Sequence, residues 1–175
     1  SWCARYPRLA LGIARNASDH RSQANALTGI SEIHLARSEY EHAVRDATQA
    51  QQLAETSGHR ATIASVMSAR LVVLAEVGEA VAARELADRA LRLRTEIGQT
   101  AGVVSAMTNI AGLKINAGDL TEVMKPLGRG LELSLEDNLQ WSKANILILI
   151  AAVHHLHGDH GQSIEVNLEA LSLFE

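Results

Sequence analysis

Apolar residues along this chain recur at helical spacing, and the pattern is interrupted every twenty residues. Ala43, Ala47, Ala50 and Ala54 lie at i, i+4, i+7 and i+11, and Val104, Met107, Ala111 and Ile115 follow the same course with one step of three. Each set is one stripe of an amphipathic helix. Positions 18, 38, 58, 78, 98, 118, 138 and 158 read Ser, Ser, Gly, Gly, Gly, Gly, Asn and Gly. Glycine averages about 7% of residues, so five in eight such places is a pattern and not background. Gly and Asn accept the left-handed backbone that closes a helix, so each position predicts a stop, with a new helix just after it. Acidic residues follow at Glu39, Glu79, Asp119 and Asp159. There a carboxylate is expected to cap free N–H groups or meet the positive end of the next helix dipole.

The period is therefore a helix pair of forty residues, repeated without insertion. Stacked at that period, the chain gives columns: Leu27, Met67, Met107 and Leu147; Ala24, Ala64, Val104 and Ala144; Leu53, Leu93, Leu133 and Leu173. Such columns predict the core of a solenoid. They also assign Ile146 to Ile150 to a helix, although a short apolar run alone does not declare its period. The expected fold is an all-α solenoid of antiparallel helix pairs with about nine helices, near 6–17, 20–37, 40–57, 60–77, 80–97, 100–117, 120–137, 140–157 and 160–175. One solenoid segment over 1–175 is expected, with a partial repeat 1–18, repeats 19–58, 59–98 and 99–138, and a truncated repeat 139–175. Ala10, Ile13 and Ala14 of the first helix fall one period before Ala50, Leu53 and Ala54. Pro7 is expected near the start of its helix, where a missing N–H costs little. Pro126 lies well inside the 120–137 segment at a cost of roughly 3 kcal/mol, and Gly128 and Gly130 add about 1 kcal/mol each. A kink or a late helix start is expected there, either a structural irregularity or a flexible joint.

Composition narrows the reading. With 47% hydrophobic, 21% charged and only 3% aromatic residues, the chain suits closely packed helices better than a β-sandwich. A net charge of −4 offers no basic surface for a phosphate backbone, and few rings are present to stack on bases, so no direct nucleic acid ligand is expected. The longest apolar run, Ile146 to Val153, is too short for a membrane span. The single cysteine, Cys3, cannot form an internal disulfide, and a cytoplasmic location is the expectation. With no initiator Met, no signal-peptide pattern, and Leu171 to Glu175 stopping in a helical pattern, the chain reads as an excerpt from a longer one.

The residues resemble the tetratricopeptide (TPR) repeat in a long, forty-residue form. Ala106-Met-Thr-Asn-Ile-Ala with Ala117-Gly-Asp-Leu is similar to that family's paired helix motifs, and its second-helix alanines fall on Ala43 and Ala83, with Val123 and Ser163 departing. Its later small residue falls on Ala50, Ala90, Gly130 and Ala170. The resemblance implies a right-handed superhelix whose first helices line a concave groove. Groove positions would be Asn25, Thr28, Glu32 and Leu35; Ser65, Ser68, Val72 and Ala75; Ser105, Thr108, Gly112 and Ile115; and Asn145, Ile148, Ala152 and His155. None of these is basic, unlike members that clamp a peptide carboxylate with Lys and Arg. The slot where kinesin light chain-like members carry a recurrent Asn reads Gly29, Ala69, Asn109 and Leu149, so Asn109 alone keeps it.

The cluster His154-His155-x-His157-x-x-His160 has two readings: packed or solvated histidines, or a metal site or pH-sensitive surface with His154 and His157 as candidate ligands. Gly158 intervenes and no Cys lies near, which favours the first. Arg84, Arg89, Arg92 and Arg94 interleave with Glu85, Asp88 and Glu96, the pattern of a solvated face, or else a docking surface for an acidic partner. Gly128-Arg-Gly130 lacks the Lys-Ser/Thr of a phosphate loop, and Asn16-Ala17-Ser18 matters as a sequon only in secretion. No catalytic constellation stands out, so neither enzyme activity nor a cofactor is expected. The expected function is a protein–protein interaction scaffold or regulatory segment of a larger bacterial signalling protein. Its partner would be a protein or peptide, and a covalently linked cyclase, kinase or transcription-activator output domain would lie outside the chain. The alternative is a sensory module binding a small ligand in the groove, or a metal at His154 to His160.

Overall fold

The structure is a computed structural model that describes residues 2–174, with side chains from Tyr6 onward; the Cys3 side chain and residues 1 and 175 lie outside that description. The described elements are nine α-helices: α1 (Trp2–Asn16), α2 (His20–Ala36), α3 (Tyr40–Ser57), α4 (Arg60–Glu76), α5 (Ala80–Glu96), α6 (Thr100–Asn116), α7 (Met124–Glu136), α8 (Gln140–Leu156) and α9 (His160–Ser172). No strand occurs among the described residues. The helices group into two compact units, Ser1–Leu93 and Arg94–Glu175.

All eight periodic stops have positive φ, from 53° at Ser18 to 86° at Gly158. At each stop of this kind the chain folds back to bond the helix it has left. Ser38 N–H donates to Leu35 O at 2.9 Å and Glu39 N–H to His34 O at 2.9 Å, the paired bonds of a Schellman turn. The outer bond recurs in the same register: Asp19 to Ala14 O, Glu79 to Leu74 O, Gln99 to Arg94 O, Asp119 to Lys114 O, Leu139 to Ser134 O and Asp159 to His154 O. Each satisfies carbonyls that the helix end would otherwise orphan.

In the first unit, Ala24, Ala50 and Ala54 are fully buried with Leu11, Leu27, Ile30 and Val66, while Ala43, Ala47 and Val73 form a second cluster. In the second unit the core is Val104, Ala111, Val123, Leu127, Ile146, Ile150 and Val153. The expected columns therefore hold, with two corrections. Ala10 is exposed and Ile13 is 62% exposed, although their counterparts Ala50 and Leu53 pack inward. The reason is that α3 is packed by both α2 and α4, whereas α1 packs on α2 through Leu11 and Ala14. Pro7 lies inside α1, not at its start. Its ring packs over Gly29 of α2, 3.5 Å from where a Cβ would be, an ordinary contact distance.

Pro126 produces a late start, not a kink. Residues 121–123 form a turn with Glu122 at φ 55°, and α7 begins at Met124, so Pro126 falls in the first turn, where its missing N–H is harmless. The basic α5 is not uniformly solvated either. Arg84 and Arg92 are exposed, but Arg94 is only 8% exposed, in the column of Ala14, Ala54 and Ser134. Gly102 makes room for it: a Cβ there would lie 2.5 Å from Arg94 Nη1. Burial pushes the Arg94 guanidinium pKa below its usual value.

A second exchange is polar for apolar. Arg70 stands where the other repeats carry Ile30, Ile110 and Ile150, and Gln51 where they carry Leu11, Leu91 and Leu131. Arg70 Nη1 donates to Gln51 Oε1 at 2.7 Å, and Gln51 Nε2 donates to Glu55 at 2.9 Å. Arg70 Nε is buried without a hydrogen-bond partner.

Two predictions follow from this frame. Ser38→Gly removes the steric cost of the left-handed backbone and raises stability by about 0.5–1 kcal/mol, and Gly118→Ala lowers it by about 1 kcal/mol, in urea denaturation. Arg70→Ile and Gln51→Leu each destabilise by about 1–3 kcal/mol alone, because each orphans a polar partner. The double variant returns to near wild-type stability or above it. Additive losses in the double-mutant cycle would show that the pair is not coupled.

Candidate functional site

Two sets of side chains were in view from the sequence, the outward faces of the first helices and the His154 to His160 cluster. In the first unit α2 and α4 lie side by side. Asn25, Glu32 and Ser65 are exposed, Val72 is 42% exposed, and Thr28 and Ser68 are half-buried. In the second unit α6 and α8 lie side by side. Ser105 and His155 are exposed, Ile148 is 46% exposed, and Thr108, Asn109 and Asn145 are half-buried. The neighbouring residues Ala24, Ala64, Val104 and Ala144 are fully buried, so each helix turns one column inward and the next outward.

The hydroxyls on these faces do not all point at solvent. Thr28 donates to Ala24 O at 3.0 Å, Ser68 to Ala64 O at 3.2 Å and Thr108 to Val104 O at 2.8 Å. This is the same i−4 back-bond in three repeats, and it spends the hydroxyl proton within the helix while leaving oxygen lone pairs outward. The faces are accordingly less polar in effect than their composition reads. Sequence spacing could have revealed this, since Ser and Thr mid-helix have few other local partners.

The acidic residues after the stops depart from their expected role. Asp119 accepts from Thr121 N–H at 3.1 Å, but Glu39 and Asp159 make no side-chain bond to their helix N-termini. They reach back five residues instead. Glu39 bonds His34 Nδ1, Asp159 stands 3.9 Å from His154 Nδ1, and Asp119 stands 3.4 Å from Lys114 Nζ. The Schellman bond explains the pairing, because it joins the backbones of these very residues and leaves their side chains adjacent. His34 is buried between Glu39 and Asp46, whose carboxylate lies 3.5 Å from Nε2 and also accepts from Arg45 at 3.1 Å, and its ring stacks on His42 at 5.2 Å. Repeat two places Leu74 against Glu79 and has no such clasp. The clasp was readable in the recurrence of a basic residue at 34, 114 and 154 with an acid five places on.

The histidine cluster divides. His154 faces Asp159, and the His155 ring tilts against His160 at 5.0 Å. His157 closes α8 as its C-cap residue. No group of three or more His, Cys, Asp or Glu among the described residues is arranged to hold a metal ion. No helix among them is long and apolar enough to cross a membrane.

This architecture of paired helices with a constant period is an all-α helical-repeat solenoid of TPR-like fold. It is similar to BtubC from P. vanneervenii at TM-score 0.81 and 13% identity, over 98% of this chain and 72% of that one. A Rap protein complexed with Competence and Sporulation Factor matches at TM-score 0.81 and 17% identity, over 97% of this chain and 48% of its own. A protein of Podosopora anserina, named for kinesin light chain and its nearly identical TPR-like repeats, matches at TM-score 0.72 and 10% identity, over 95% and 82%. The chain thus spans under half of the Rap protein. No protein-family model and no curated protein sequence matches the chain.

Glu39 supplies a test of the clasp. The hydrogen bond from His34 holds its carboxyl below the usual range, with desolvation opposing and the charges of His34, Arg37 and His42 adding to the lowering. A depressed folded pKa contributes stability that is full above the unfolded value, about 4.3, and is lost as pH falls through the folded one. Asp119, lowered chiefly by its bond from Thr121, acts with the same sign. His34→Leu, which installs the residue found at Leu74, should therefore lose less stability than wild type between about pH 5 and pH 3 in urea titrations. An unchanged acid slope would show that the His34 bond does not set the Glu39 proton affinity.

Proposed function

We propose that the chain is a protein-interaction module of the TPR family. It holds a protein or peptide partner against the exposed faces of its first helices, as a regulatory segment of a larger bacterial signalling protein. The observation that carries this reading is the surface position of the columns through Asn25, Thr28, Glu32, Ser65, Ser68 and Val72 in one unit. The columns through Ser105, Thr108, Asn109, Asn145, Ile148 and His155 repeat it in the other. The side chains there are mostly small, so a partner backbone approaches closely. Val72 and Ile148 supply apolar contact, and the amides of Asn25 and Asn145 can bond main chain. Glu32 gives the first face a negative charge, and no Lys or Arg in these columns favours a carboxylate-clamp mode. The similar fold of a Rap protein, solved complexed with Competence and Sporulation Factor, is support by analogy of fold.

The reading assigns binding and no chemistry. Repeats 19–58, 59–98 and 99–138 are its structural units, and an output domain linked to the chain is its regulatory target. Flanking gene sequence without any such domain would remove the signalling half of the proposal.

A photo-crosslinking residue at Ser65 or Ser105 should capture the partner in cells. Val72→Arg and Ile148→Arg should each weaken the captured partner's binding by about tenfold or more, with unchanged thermal midpoints, because both side chains are already exposed. Crosslinks arising only from positions 84 and 92, with full affinity in both arginine variants, would move the interface elsewhere.

A further inference from the structure

In the unit Arg94–Glu175, the end of α5 together with α6 and α7 borders an open surface hollow of about 320 Å³. Val103 and Met107 of α6 and Leu133 of α7 make its apolar lining, and Thr95 of α5 and Arg129 of α7 are its polar members. On α6, Val103 is two residues from Ser105, about 200° around the helix, so the hollow is a different surface from the face treated above.

The repeat register shows what is missing from it. Arg89, one period before Arg129, lies 3.9 Å from Glu55, and Glu55 is one period before Thr95. Glu169, one period after Arg129, lies 3.0 Å from Lys143, and Lys143 is one period after Val103. In both repeats the charge in the Arg129 column is met by an opposite charge, from the Thr95 column in one and the Val103 column in the other. In the third repeat both of those columns are uncharged, and Val103 and Thr95 are smaller than Lys143 and Glu55. Space and an unmatched cross-helix cation therefore occur together. Arg129 meets carboxylates only on its own helix: Glu132 at 2.8 Å, with 54% and 63% of the two side chains exposed, and the more distant charge of Glu136. Exposed pairs of this spacing are weak and readily exchanged.

We propose that this hollow is a docking pocket for a helical segment of a partner protein that carries an aliphatic residue and a glutamate one turn apart. The aliphatic side chain packs over Val103, Met107 and Leu133. The glutamate takes the place opposite Arg129 that Glu55 takes opposite Arg89. Charge complementarity selects the occupant: the pocket supplies the guanidinium and the floor, and the ligand supplies the carboxylate that the flanking repeats carry in their own chain.

The test uses the full chain, isotope-labelled, and a short alanine-based helical peptide bearing one Leu and one Glu four residues apart, beside a twin with Gln in place of Glu. The Glu peptide should shift the amide signals around Val103, Met107 and Leu133 and bind about tenfold or more tightly than the Gln peptide. Arg129→Gln should abolish that difference. Thr95→Glu, which restores the acid of the neighbouring repeat, should engage Arg129 internally and exclude the Glu peptide while leaving the thermal midpoint unchanged. Equal binding of the two peptides, shifts confined to other surfaces, no shifts at about 1 mM peptide, or full Glu-peptide binding to Thr95→Glu would each overturn the proposal.

Discussion

The structure depends on one bond, from the amide just past a left-handed stop back to the carbonyl five residues earlier, made at seven of the eight stops; after Gly58 the His59 N–H donates to Ser57 Oγ instead. Because the left-handed stop recurs every twenty residues, it fixes where each helix ends, and so which residues of the next helix face inward. A stop displaced by one residue would rotate the following helix by about 100° and take its apolar stripe off the core. With the stops in register, the stripes fall into columns, and residues as small as Ala43, Ala83, Val123 and Ser163 are buried at equivalent places. Small residues in those columns let helix backbones approach closely, so packing here rests on close contact over many atoms more than on large side chains.

A frame this regular tolerates exceptions when they are matched in pairs. Arg70 replaces an isoleucine and meets Gln51, which replaces a leucine. Arg94 replaces an alanine, and Gly102 vacates the space it needs. Pro7 lies inside α1, with its ring against Gly29 of α2. In the first two cases the cost of an unusual residue, whether desolvation or volume, is offset by a second unusual residue across the helix interface. The clasps at His34, Lys114 and His154 follow the same logic at the turns, where the backbone bond brings two side chains together and opposite charge makes the contact favourable.

Much of this was legible in the sequence, for a physical reason. Left-handed stops demand a short list of residues, and the columns demand apolar ones, so helix number, period and core could be read without tertiary information. A departure from regular helix at Pro126 was legible too, as a kink or a late start, and the structure takes the late start. What escaped were properties set by a neighbour across space. Arg94 reads as solvated among the charges of its own helix and as buried only in the column of Ala54 and Ser134. The acids at Glu39 and Asp159 read as caps because capping is local, whereas their actual partners are brought near by the turn. Thr28, Ser68 and Thr108 read as polar groove groups, although their protons are already spent on the preceding helical turn. The exposure of Ala10 and Ile13 depends on which helices cover α1, and a periodic pattern does not carry that information.

BtubC and the Rap protein share this fold with the chain at 13% and 17% identity, so the fold by itself specifies architecture and little else. Functional information must then sit in the departures from register. A departure matched inside the chain, like Arg70 with Gln51, is accounted for by stability. A departure whose cross-helix counterpart is absent, like Arg129 beside Thr95 and Val103, is not, because its charge meets only carboxylates of its own helix and the space beside it is left open. Partners of a helical-repeat protein are therefore best sought at columns whose chemistry changes in one repeat without an answering change across the interface.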